Sequence, residues 1–507
     1  MKHMKIWLAV FLTVVLFSCS KLDEKFRSEL EQNNSGSITP DQLLKSAYNT
    51  LYDYTTQGNL WSASEITSDE AIAPTRGPDW DDNGLWRALH TQAWNADHDF
   101  LAGAFNSLLG SQFSASNVLQ FNPSVQQAAE ARFIRALSMY EVLDGWDQVP
   151  YREDLSNYKI LPITLKGLEV VDFVVGELNA IMNDLPASGP AYTANQNAAK
   201  ALLMKIYLNK GVYANRAAPT FDDGDMTQVI TLADQIAGSN KYSLNAVFFD
   251  NFSPDNDTKS TENIFTLYDQ NGDRGGNVAA STFAVSHYNM NPAGWNGFST
   301  LSDFYDKFEA TDQRRGIYYK YPDGLANPGK RVNVGFLVGQ QYDLTTDAAL
   351  KDRKGNPLVF TRTVALRETG NDLEVTGIRV IKYPYNYPHK DAQSNNDFVI
   401  FKLADVILMK AEAQLRKGDV AGALVTVNTL RLKRGATPML SLDLPALYDE
   451  RGREMYWEGW RRQDQIRFGT FLGVWHDKAA TDASKLLFPI PSSQLAVNPN
   501  LTQNAGY

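Results

Sequence analysis

The sequence predicts a mostly α-helical protein whose helices pack in pairs, interrupted by a long loop-rich insert. Three observations carry this. Apolar residues recur at helical spacing in several separate stretches, and two of those stretches are joined by a tight glycine turn. The region from about 240 to 400 is instead rich in Asn, Asp, Gly, Pro and aromatics.

In 128–144, Phe133, Leu137 and Tyr140 share a face, and Gly145 is expected to close the helix. The stretch 168–185 reads as a helix bounded by Gly167 and Pro186. In 198–210, Ala199, Leu202, Leu203, Ile206 and Tyr207 fit one helical stripe, with Gly211 as the expected stop. A shorter helix is expected over 227–237. In 400–434, Leu403, Ile407, Ala411 and Leu415 form one stripe, and Val420, Ala423, Leu424, Val427 and Leu430 the next. Gly418-Asp419 turns the chain between them, with small alanines for a close crossing, so the unit resembles a tetratricopeptide repeat. The pairs within 128–185 and 198–237 are expected to be similar units. Inside the insert, Ile264–Leu267, Phe336–Val338, Leu358–Thr363 and Ile378–Lys382 read as short strands. The stretch 55–100 is also loop-rich and holds four of the ten tryptophans. Long loops on a rigid scaffold are where binding usually resides.

The N-terminus sets the expected compartment. Lys2 and Lys5 precede an apolar run, Ile6 to Phe17, that suits a signal peptide and is shorter than the ~20 residues needed to span a bilayer. Cys19 follows directly and is the only cysteine, which excludes an internal disulfide. A lone cysteine there is the acceptor pattern of a bacterial lipoprotein, whose several acyl chains make a stable anchor. The expected organisation is therefore a signal peptide over 1–18, a lipidated tether over 19–40, and one domain over 41–507. That leaves about 490 mature residues, enough for a large domain. Composition is globular, with 43% hydrophobic and 21% charged residues. The formal net charge of −10 argues against nucleic acid or anionic lipid as partners.

Several segments, in order, resemble the SusD/RagB family of outer-membrane nutrient-binding lipoproteins. They are SDEAIAPTRGPDWDDNGLWRALHTQAW (68–94), AEARFIRALSMYEVLDGWDQVPY (129–151), AAKALLMKIYLNKG (198–211), FKLADVILMKAEAQLRKGD (401–419), ERGREMYWEGWRRQDQIRFG (450–469) and FPIPSSQLAVNPNLTQNAGY (488–507). Asp144-Gly145-Trp146-Asp147 departs from the family's more usual Phe-Gly-Asp order. The resemblance implies a mostly α fold with about four tetratricopeptide-like helix pairs and a less regular, ligand-binding part with short strands. It also implies delivery of a captured nutrient to a SusC-like TonB-dependent transporter at the outer membrane.

Sugars present flat C–H faces and rims of hydroxyls, so a site for them wants aromatic platforms beside fixed polar groups. Two segments combine these: 69–95, and SHYNMNPAGWNGF at 286–298. Because the family's pocket lies at segments resembling these, the ligand-binding set is expected to be Asp69, Arg76, Trp80, Trp94, Asn95, Tyr288 and Trp295. Competing structural roles are plain. Trp86 has Leu85 and Leu89 at helical spacing and reads as core, as do Trp457 and Trp460 on an apparent helix with Tyr456. Asp69 and Arg76 would also make a structural ion pair, and Trp80 and Trp295 would also pack their own loops.

Catalytic patterns are weak. Adjacent acids such as Asp81-Asp82 diverge, whereas glycosidase carboxylates face one another across about 5–10 Å. No H-E-x-x-H, G-x-S-x-G or P-loop spacing occurs. His90 and His98 make a poor zinc pair. No cofactor is expected; a structural calcium is conceivable at Asp255-Asn256-Asp257 with Glu262, which lacks the EF-hand glycine, and at Asp222-Asp223-Gly224-Asp225, but both read better as solvated acidic turns. The expectation is a binder of oligosaccharide rather than an enzyme, with peptide capture as the alternative within the family and a surface glycoside hydrolase outside it.

Overall fold

The computed structural model describes residues 38–153, 155, 157, 159–270, 278–321, 327–389 and 394–507. Cys19, the signal peptide and nearly all of the tether lie outside them. From Pro40 the main helices are α1 (Pro40–Thr50), α2 (Leu60–Glu65), α3 (Asp99–Val118), α4 (Val125–Trp146), α5 (Leu168–Ile181), α6 (Gln196–Ala214), α7 (Asp223–Gly238), α8 (Leu403–Arg416), α9 (Val420–Lys433), α10 (Leu444–Met455) and α11 (Arg461–Arg467). Among the described residues, α1 packs on α3, α4 on α5, α6 on α7 and α8 on α9, giving four pairs. The pairs also stack on one another through α3–α4, α5–α6 and α7–α8.

Local chemistry explains the helix starts. Ser124 and Gln127 form a capping box on α4, the Ser124 hydroxyl accepting from the Gln127 amide at 3.3 Å and the Gln127 side chain accepting from the Ser124 amide at 2.8 Å. Asp222 caps α7 by accepting from the Gly224 and Asp225 amides, so the Asp222-Asp223-Gly224-Asp225 run is a helix start. Two expected stops are corrected. Gly145 and Gly211 lie inside α4 and α6, which run on to Trp146 and Ala214. These glycines serve close approach: a Cβ on Gly211 would stand 1.7 Å from the Thr220 carbonyl oxygen, and one on Gly145 would stand 3.2 Å from the Phe488 ring. Helix α3 has no counterpart in the sequence reading. Its glycines and serines lower helix propensity and blur its stripe, and packing against α1 and α4 supplies the stability instead.

The insert is closed at its base by β1 (Asn263–Leu267), which pairs antiparallel with β5 (Phe398–Lys402), and the Leu403 amide donates to the Glu262 carbonyl at 2.9 Å. The chain therefore returns to start α8 beside the place it left after α7. Within the insert, β2 (Gly316–Ile317), β3 (Val334–Leu337) and β4 (Arg379–Ile381) form an antiparallel sheet with β3 central.

Helix α10 is tied to the insert by fully buried charges. Arg314 pairs with Asp312, Glu450 and Glu454, at 2.7, 2.8 and 3.1 Å. Arg434 pairs with Glu262 and Glu454, at 2.8 and 2.9 Å. Lys382 and Lys402 share Glu458. Glu262 is thus committed to Arg434 through one oxygen and accepts from the Asn245 amide and the Asn251 side chain through the other, at 2.9 and 3.0 Å. No group of three or more potential metal-ligating side chains occurs among the described residues. The expected helix through Tyr456, Trp457 and Trp460 is also corrected. Helix α10 ends at Met455, and Trp457 and Gly459 take left-handed backbone, with φ of 60° and 86°. Both tryptophans are nonetheless buried. No described helix is long and apolar enough to cross a membrane.

Candidate functional site

An open concavity of about 500 Å3 is lined by Gln57, Asp79, Trp80, Asp82, Tyr288, Trp295 and Arg353. It brings together Trp80 from the 69–95 loop with Tyr288 and Trp295 from 286–298. Trp80 has φ of 61°, a backbone that a bulky residue adopts only when its surroundings enforce it. The enforcing contacts are visible. The Trp80 indole N–H donates to the Trp295 carbonyl at 2.9 Å, and its ring lies against the Gly297 backbone, where a Cβ would stand 2.3 Å away. Trp80 packs on Phe298 with ring centres 5.1 Å apart, and Phe298 in turn meets Trp86 at 5.1 Å and Trp61 at 5.5 Å. Trp61 continues to Trp457 at 5.3 Å, completing an aromatic column from the surface inward. Trp295 is the exposed member, with 48% of its surface open, and stands beside Phe283 at 5.8 Å.

The polar rim is equally fixed. The Tyr288 hydroxyl donates to Asp79 at 2.8 Å, and the Arg353 guanidinium lies 3.9 Å from the Tyr288 ring centre while pairing with Glu374. Burial, followed by the Asp79 carboxylate, pushes the Tyr288 phenol up to about 12, so it remains a donor at neutral pH. Asp82 accepts from the Trp86 indole at 2.6 Å, and Asp81 pairs with Arg87 at 2.6 Å.

At the inner end of the column, Glu65 and Glu70 hold the Trp457–Gly459 turn by accepting from the Gly459 and Trp457 amides. Both carboxyls are buried and adjacent. Burial raises Glu65 to about 7, and burial with the neighbouring Glu65 raises Glu70 well above the usual carboxylate range. Like charges this close oppose each other's ionisation, which adds to the effect of burial on Glu70.

Four of the expected residues do not line the cleft. Asp69 pairs with Arg461 at 2.7 Å and accepts from Tyr448 at 3.1 Å; burial opposes its ionisation, but the Arg461 guanidinium holds the carboxyl below its usual range. It makes no pair with Arg76. Arg76 is buried and donates to the Leu373 and Thr376 carbonyls at 2.7 and 2.9 Å and to Ser299 at 3.2 Å. Arg379 does the same from the other side, donating to Ser299, Thr376 and Gly377 and to the Asn296 side chain. Together these two arginines clamp 373–377 against 296–299, behind the Trp295 loop. Trp94 is buried against Phe488 and donates to the Tyr507 hydroxyl at 2.6 Å, anchoring the C-terminal segment. Asn95 accepts from the Asp97 amide at 3.0 Å in the turn before α3. His90 and His98 each meet a backbone carbonyl, of His476 and Leu85, and not one another. Four lining residues were outside the expected set: Asp79 and Asp82, which lie within the 69–95 segment, and Gln57 and Arg353. Gln57 and Arg353 sit in ordinary polar turns, and only the folded chain carries them to the cleft.

A sequence model described as the SusD family matches residues 233–507. The chain is 27% identical over 433 residues to the starch-binding protein SusD of Bacteroides thetaiotaomicron, covering 76% of this chain and 73% of that protein. It is 23% identical over 514 residues to SusD-like protein P38 of Formosa agariphila, covering 96% and 93%. Among solved structures, a SusD superfamily protein of Parabacteroides distasonis aligns with a TM-score of 0.69 at 19% identity, over 94% of this chain and 100% of that one. Surface glycan-binding protein A of Bacteroides thetaiotaomicron, in complex with laminarihexaose, aligns with a TM-score of 0.68 at 17% identity, over 92% and 98%. Four helix pairs, a loop-rich insert closed at its base and the match over more than half of the sequence lead to one conclusion: this chain belongs to the SusD family.

Proposed function

We propose that the chain binds an oligosaccharide at the Trp80–Tyr288–Trp295 cleft. It does so from the outer surface of the cell, held by lipid on Cys19, and passes the ligand to a SusC-like TonB-dependent transporter. The observation that carries the binding site is the exposed Trp295 ring beside a Trp80 whose own N–H is already engaged. A sugar ring stacks on such a face through its C–H groups, and the Asp79, Gln57 and Arg353 groups of the rim reach its hydroxyls. Related proteins support the ligand class, since the chain resembles a starch-binding protein and the fold matches a structure holding laminarihexaose. Binding without cleavage is supported by the cleft's carboxylates. Asp79 is held by Tyr288 and Asp82 by Trp86, so both act as acceptors that set the aromatic wall.

Calorimetry of residues 20–507 against a panel of neutral and acidic oligosaccharides tests this reading, with Trp295→Ala as the control. Binding that Trp295→Ala abolishes is the expected result. Silence across the panel together with binding of oligopeptides would overturn the sugar assignment.

A further inference from the structure

A second concavity, of about 640 Å3, opens beside the β2–β3–β4 sheet. Met290 and Asn291, two and three residues beyond Tyr288 in the chain, form part of its wall, so it neighbours the aromatic cleft along the sequence. Among the described residues its lining includes three cations, Arg315, Lys330 and Arg331, and no Asp or Glu. In a chain of net charge −10 that is a local reversal of sign, and a concave wall focuses the resulting field.

The hydrogen-bonding state of the wall narrows the ligand. Three of its neutral amides are already engaged. The Asn333 side chain donates to the Tyr319 carbonyl at 2.9 Å, Gln340 donates to the Gln341 and Leu350 carbonyls, and Gln341 donates to the Gly339 carbonyl at 2.9 Å. Arg331 is paired with Asp347 at 2.6 Å and lies over the Tyr342 ring at 3.8 Å. Arg315 is different: its Nε and Nη2 donate to the Tyr305 hydroxyl at 3.1 and 2.7 Å, and among the described residues it meets no carboxylate. Lys330 is exposed and likewise meets none among the described residues. Arg315 and Lys330 are thus the lining cations that no described carboxylate answers, while the rings of Tyr305, Tyr342 and Phe336 supply apolar wall.

We infer that this cavity binds an acidic sugar unit, with Arg315 and Lys330 receiving its carboxylate or sulfate ester. The inference rests on the glycan reading above and deepens it, from sugars in general to anionic ones. A guanidinium fork and an ammonium both favour such an oxyanion over a hydroxyl.

The test uses oligomers of glucuronate, galacturonate and mannuronate, each beside its carboxyl-reduced neutral form, and sulfated oligomers beside their desulfated forms. Calorimetry on residues 20–507 is expected to show at least one acidic member binding about tenfold or more tighter than its neutral partner. The arm that shows the preference identifies the anion. Arg315→Gln combined with Lys330→Gln brings the ratio to about one, and Trp295→Ala weakens both members of the pair alike. Lys330→Glu, on an exposed position, guards against misfolding of the double variant and reverses the preference. Equal affinities for charged and neutral members in the wild type overturn the inference and leave the glycan reading standing. No binding of any pair overturns it as well, and the neutral oligosaccharides of the first panel, with Trp295→Ala, then decide the glycan reading separately.

Discussion

The charges around α10 and the charges around the cleft are of the same types and serve opposite ends. Arg314, Arg434, Glu450 and Glu454 are sealed from water and satisfied by one another. Arg353 and Asp79 sit at an open rim, each holding an aromatic side chain in place while keeping surface toward solvent. The tryptophans divide likewise: Trp61, Trp86 and Trp457 form the buried column, and Trp295 is its open neighbour. Burial, and not residue type, separates a group that holds the fold from one that can hold a ligand.

That contrast can be broken from either side. Glu454→Ala removes the carboxylate that Arg314 and Arg434 share and strands buried positive charge. The expected loss is about 3–5 kcal/mol of stability in urea unfolding, the range for breaking a buried pair, with the wild-type affinity kept in whatever fraction stays folded. Trp295→Ala should do the reverse. It lowers glycan affinity by roughly 10- to 100-fold, about 1.4–2.8 kcal/mol, and leaves the unfolding midpoint unchanged.

The Glu65–Glu70 pair joins the two regions and gives a pH signature. Glu65 is raised in the folded chain from 4.5 to about 7, so between those values the folded state binds more protons than the unfolded one. Its contribution to stability is therefore present below the unfolded value and is lost as pH rises through about 7. Glu70→Gln removes the second raised carboxyl of the pair and should flatten that part of the profile relative to wild type, by on the order of 1 kcal/mol per pH unit. Half-buried Glu141, also raised, keeps its own slope in both proteins, so the difference between the two profiles is the measurement. A difference that stays constant across pH 5–7 would show that folded Glu70 takes up no extra proton in that range. The smallest effect is expected at Trp94→Phe, which loses one hydrogen bond to Tyr507 and about 0.5–1.5 kcal/mol of stability. Glycan affinity should be unaffected, since Trp94 does not line the cleft.

Much of the scaffold was legible from the chain alone. Repeating apolar residues define α4, α6, α8 and α9 because a helix presents every third or fourth side chain to its neighbour, whatever that neighbour is. The cleft was legible in part. Trp80, Tyr288 and Trp295 stand in loops whose glycines, prolines and asparagines preclude regular structure, and that local signal marked them. Asp69, Arg76 and Trp94 carried the same signal and lie elsewhere, because their partners Arg461, Thr376 and Tyr507 are distant in sequence. No local pattern reports such pairings.

The sequence by itself determined the helices, the loop-rich insert and the kinds of side chain available for binding, all of which follow from short-range spacing and composition. The tertiary structure decided which glycines end a helix and which admit a neighbour, and which charges are sealed away. It also decided which tryptophan keeps an open face. Those outcomes depend on what packs against each residue from far along the chain, and exposure is a property of the folded surface that no single position carries.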